Sequence, residues 1–73
     1  NMVILRPEEM TSRVEQINNR PIRISSYKLG ETYHCKAEID LPGAGARIAE
    51  ASDPSQETAE CRVLSQVQRL VKT

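Results

Sequence analysis

The sequence has no phenylalanine or tryptophan, two tyrosines, one histidine, two cysteines and three glycines in 73 residues. With so few aromatic rings, any core must be small and aliphatic. Two cysteines are too few for a disulfide scaffold. No apolar run approaches the roughly 18 residues of a transmembrane helix, so no membrane span is expected. Ten basic and ten acidic side chains give a net charge of zero, and no polybasic tail is present. Val3-Ile4-Leu5 is too short for the apolar segment of a signal peptide, and Arg6-Pro7-Glu8-Glu9 interrupts it. These absences predict a cytoplasmic protein with free thiols in a reducing compartment. A Cys35–Cys61 bridge is the alternative.

A chain of 73 residues fits one domain, residues 1–73, with 1–6 as a flexible lead-in or residues 2–6 as a short extra strand. A domain of this size buries only about 60% of its unfolded surface. Its core rarely supplies more than about 3–5 kcal/mol, so help from a partner or from self-association is expected.

The hydrophobic pattern predicts a helix over 7–19. Pro7 suits the first helical position, and Glu8 and Glu9 suit the positive end of the helix dipole. Met10, Val14 and Ile17 recur at helical spacing, and Asn18-Asn19-Arg20-Pro21 terminates the element. Residues 21–28 read as a strand with Ile22 and Ile24 on one face and Arg23, Ser25 and Tyr27 on the other. After a Leu29-Gly30-Glu31 turn, Tyr33, Cys35, Ala37, Ile39 and Leu41 alternate with Thr32, His34, Lys36, Glu38 and Asp40. That alternation is the mark of a half-buried antiparallel strand. Pro42-Gly43-Ala44-Gly45 turns the chain into a weaker, Ala-rich strand over 46–52.

Asp53 reads as an N-cap with Pro54 at the first helical position, opening a helix that runs to about Lys72. Its stripe is Ala59, Val63, Val67 and Leu70, widened by Leu64 and Val71. The expected fold is therefore α+β: a two-layer α-β-β-β-α sandwich built on a three-stranded antiparallel meander. Met10, Val14, Ile17, Ile22, Ile24, Cys35, Ala37, Ile39, Val63, Val67 and Leu70 are its expected core.

Catalytic chemistry is poorly supplied. His34 and Cys35 are neighbours on a strand and point to opposite faces, so they form no dyad. One histidine and two cysteines on three surfaces do not make a zinc site. Gly43-Ala44-Gly45 lies between two strands, whereas a phosphate cradle needs a helix N-terminus directly after it. No catalytic residue, metal or cofactor is expected.

Charge is unevenly spread. Residues 37–60 hold one basic and six acidic side chains, and residues 61–73 hold three basic and none acidic. The acidic block, with Glu50, Asp53, Glu57 and Glu60, reads as a solvated face or, more sharply, as a docking surface for a basic protein partner. Leu64 and Val71, seven apart on the margin of the last helix, predict a second contact in a two-fold homodimer. The unprotected edge of the 46–52 strand is another route to that dimer.

Two resemblances bear on these expectations. The expected element order, the length and the Tyr27…Gly30 turn before a long strand resemble the double-stranded-RNA-binding domain. That family contacts phosphates with a lysine pair at the start of its last helix. Here the positions read Ser52-Asp53-Pro54-Ser55-Gln56-Glu57, which repel a phosphate backbone, so binding of duplex RNA is not expected. Asp40-Leu41-Pro42-Gly43, a further strand and a helix opening with Glu57-Thr58-Ala59 resemble the HicB-type antitoxin domains over roughly residues 21–71. The function expected is a small non-enzymatic interaction or regulatory module. An RNA-binding domain with a non-standard surface is the alternative.

Overall fold

A computed structural model describes residues 2–41, 43 and 45–71. Four strands and one helix follow in the order β1 (Glu8–Ile17), β2 (Arg20–Leu29), β3 (Thr32–Leu41), β4 (Gly45–Asp53) and α1 (Gln56–Leu70). The strands form one antiparallel sheet in sequential order. The α+β class holds, but the order is β-β-β-β-α. Residues 7–19, expected as a helix, instead supply the edge strand β1.

The hairpin turns explain that difference. Ile17 pairs with Arg20 across Asn18 and Asn19, whose φ values are 52° and 63°. Two consecutive positive φ values define a type I′ turn, which matches the twist of paired strands, and asparagine tolerates that conformation. The pair therefore closes a hairpin rather than ending a helix. Leu29 pairs with Thr32 across Gly30-Glu31, where Gly30 takes a φ of 63° as the first central residue.

The helix lies on one face of the sheet, over β3 and β4. The residues beneath it are small: Cys35, Ala37, Ala49 and Ala51. Small side chains let the helix approach, and Ile22, Ile24 and Ile39 fill the space beside it. Ala59, Val63 and Val67 complete the core from the helix.

Seven of the expected core residues are buried: Ile22, Ile24, Cys35, Ala37, Ile39, Val63 and Val67. Ile17 is half-buried at the margin. Met10, Val14 and Leu70 are exposed, contrary to expectation. The first two lie on an edge strand rather than on an inward helical stripe, and Leu70 ends the last turn of α1. Val71, expected on the helix margin, is the C-cap and is buried; its N–H donates to the Val67 carbonyl at 2.9 Å. Asn18 Nδ2 donates to the Val71 carbonyl at 3.2 Å, tying the β1–β2 turn to the end of the helix.

The helix start also differs in detail. Ser55, not Asp53, is the N-cap, and its Oγ accepts from the Thr58 N–H at 3.3 Å. Asp53 acts one step earlier, accepting the Ser55 N–H at 2.8 Å and the Arg62 guanidinium at 3.2 Å. The expected extension of the helix to Lys72 lies outside the described residues. Residues 2–7 precede β1 without regular structure, and Met2, Val3, Ile4 and Leu5 are exposed. No helix among the described residues is long and apolar enough to cross a membrane.

Candidate functional site

The covered face of the sheet is occupied by the core. Among the described residues no helix covers its other face, and the alternation of each strand decides what stands there. Register defines three cross-strand rows on this open face. Val14, Arg23, Glu38 and Ile48 form one row. Ser12, Ser25, Lys36 and Glu50 form the row on one side; on the other, Gln16 pairs with Pro21 and Asp40 with Ala46, and Pro21, Asp40 and Ala46 border one groove. Val14 is 53% exposed and Ile48 58%, so the central row has an uncovered aliphatic side chain at each end.

Beyond the serine row, Tyr27 stands opposite His34, and their rings stack at a centroid distance of 5.1 Å and an interplanar angle of 18°. This pair, with Ser25, Lys36, Glu50 and Ser52, borders a shallow groove of about 540 Å³. Lys36 Nζ lies 3.4 Å from a Glu38 carboxylate oxygen two residues along the same strand. Among the described residues Arg23 makes no ion pair, although Glu38 is its cross-strand partner. The open face thus presents both signs of charge, with Arg23 and Lys36 beside Glu38, Asp40 and Glu50.

The acidic residues expected to form one surface are divided by the fold. Glu50 projects from the open face, while Glu57 is exposed in the first turn of the helix. Asp53 is engaged by Arg62 and the Ser55 N–H. Glu60 accepts the Arg13 guanidinium at 3.0 Å, which ties the edge strand to the helix. Glu15 also accepts from Arg13 at 2.8 Å, and the hydrogen bonds from Glu15 and Glu60 push the Arg13 pKa upward. Leu64 is half-buried against the core and Val71 is buried within it, so the two do not share an outer surface.

The chain matches no protein-family model, no curated protein and no solved structure. The chemistry of its surfaces therefore carries the functional reading.

Among the described residues, no three His, Cys, Asp or Glu side chains converge as a metal centre requires. Both cysteines are free. Cys35 is buried, and desolvation raises its pKa above the ordinary value, which disfavours the nucleophilic thiolate. Tyr33 donates to a Glu9 carboxylate oxygen at 2.9 Å, and this hydrogen bond raises the phenol pKa.

Val14 and Ile48 escape the sequence reading for separate reasons. Val14 falls in the misassigned helix, and Ile48 in a strand whose pairing gave it no assigned face. The signal that finds them is register: once Val14 aligns with Arg23, and Glu38 with Ile48, both stand on the open face.

Proposed function

We propose that this protein is a non-enzymatic protein-interaction module whose binding surface is the open face of its sheet. The observation that carries this reading is the one-sided coverage of four strands by a single helix. An uncovered sheet face bearing aliphatic side chains gains free energy when another surface excludes water from it. The charges between those side chains are of both signs, which suits the mixed surface of a protein. Of the residues expected to contact a partner, Glu50 belongs to this face.

Tyr27 and His34 favour RNA as the second reading, since partly exposed rings offer a stacking platform for unpaired bases. Glu38, Asp40 and Glu50 oppose it, because they place carboxylates where a phosphate backbone would run.

A photo-crosslinking amino acid at Ile48, with Gln68 on the outer face of the helix as control, tests the reading in an extract of the native host. The expected result is a discrete adduct at position 48 alone that survives nuclease and is destroyed by protease. A nuclease-sensitive adduct would transfer the face to RNA. Equal adducts at both positions, or none, would overturn the proposal.

A further inference from the structure

We infer that the occupant of the open face is a second copy of this chain, stacked sheet on sheet about a two-fold axis that runs along the strands. The inference rests on the interaction-module reading and adds the identity of the partner.

The central row carries the argument. Read across the sheet it runs Val14, Arg23, Glu38, Ile48: aliphatic, positive, negative, aliphatic. A two-fold axis lying between two stacked sheets and parallel to their strands reverses the order of the row in the opposing copy. Val14 then faces Ile48 of the other copy, and Arg23 faces its Glu38. Each contact occurs twice, as an isologous interface requires. The pattern is self-complementary, so one face supplies both halves of the match.

The flanking rows accept the same operation. Lys36 meets Ser25 of the other copy and Glu50 meets Ser12, while Asp40 meets Pro21 and Gln16 meets Ala46. Tyr27 meets His34. No row sets like charges opposite one another. Stacked sheets stand about 10 Å apart with strands aligned within about 30°, and an arginine and a glutamate reaching from opposite sides span such a gap. Their contact is a charge-assisted hydrogen bond, the strong kind, at the centre of the surface.

The area is sufficient for a modest dimer. Four strands about 4.8 Å apart and about 30 Å long present roughly 600 Å² per copy, or roughly 1,200 Å² for the pair. That lies at the lower limit of specific, stable interfaces. Association in the micromolar range is the matching expectation.

Sedimentation equilibrium of the purified protein at tens to hundreds of micromolar is the test, with far-UV circular dichroism to confirm folding. The parent should show the mass of a dimer. The Arg23→Glu variant sets carboxylates against carboxylates across the axis, and the Glu38→Arg variant sets guanidinium against guanidinium, so each alone should be monomeric. An equimolar mixture of the two should recover the dimer mass, because each row then meets its opposite. Within either chain the cross-strand charge clash is unchanged by mixing, so recovery reports contact between copies and nothing else. A parent that remains monomeric overturns the second-copy inference, while a protein adduct at position 48 would still support a different protein partner. A parent dimer that persists in both variants overturns the open face as its interface. Failure of the mixture to recover overturns the proposed axis.

Discussion

The two faces of the sheet are built from the same strands by alternate residues, yet they behave as different materials. On the covered face Ile22, Ile24, Ala37 and Ile39 are 0–1% exposed. One residue away on the same backbone, Arg23, Lys36 and Glu38 are exposed, and Val14 and Ile48 stand uncovered beside them. The difference arises from the helix alone, since backbone pairing is shared by both faces. Stability should therefore be concentrated on one face, leaving the other free to vary without unfolding the domain.

A paired substitution in the sheet gives the sharpest test. Ile39→Ala removes a fully buried side chain and should cost about 2–5 kcal/mol, enough to unfold much of a domain this small. Ile48→Ala, on the neighbouring strand and the opposite face, should stay within about 0.5 kcal/mol of the parent. Urea melts of monomeric protein compare them directly. Similar midpoints for the two variants would break the comparison.

The helix supports the covered face only while it forms, so its cap comes next in size. Ser55→Ala leaves the Thr58 N–H without its side-chain acceptor and should cost about 1 kcal/mol. Asp53→Ala would be the larger effect if Asp53 were the cap, and the order of the two melting temperatures decides between them. A smaller loss is expected from Glu60→Gln. This change removes the ion pair between α1 and β1, whose side chains are partly exposed, and should cost about 0.2–1 kcal/mol. The loss should shrink as salt is added, because the pair is screened; an effect that does not change with salt would point to packing instead.

Legibility in the sequence followed the same division. β2 and β3 could be read because they alternate cleanly between the two faces, and α1 because its apolar stripe meets the core. β1 could not. Its inward positions include Thr11, Arg13 and Glu15, which are polar because the helix sits over β3 and β4 and leaves β1 at the margin. With no apolar alternation, Met10, Val14 and Ile17 imitate a helical stripe by spacing alone. The stronger signal was Asn18-Asn19, a pair suited to the two positive φ values of a I′ turn. The open face was half legible. The alternation sets His34, Lys36, Glu38 and Asp40 on one side of their strand, but rows across strands exist only once register is known. For the acidic block, sequence proximity does not reveal that Asp53 and Glu60 are engaged by Arg62 and Arg13.

The two cysteines extend the comparison to chemistry with the smallest effect on stability. Cys61 is exposed on the helix, whereas Cys35 is 3% exposed on the covered face and its thiol pKa is raised by desolvation. A thiol reagent should therefore modify one equivalent rapidly and without change in the circular dichroism spectrum. The second should react only through opening of the covered face. For a domain stable by about 3–5 kcal/mol, that places Cys35 behind Cys61 by about two to four orders of magnitude in rate. The pH dependence has a defined sign. A thiol whose folded pKa lies above its unfolded value of about 8.5 favours the folded state below that pH, and this contribution is lost as pH rises toward the folded pKa. The Cys35 rate should then climb steeply with alkaline pH, because opening and thiolate formation both increase. Urea should accelerate Cys35 and leave Cys61 nearly unchanged. Equal native rates for the two thiols would mean that solvent reaches the covered face as readily as the outer surface of the helix, and the distinction between the sheet's two faces would be lost.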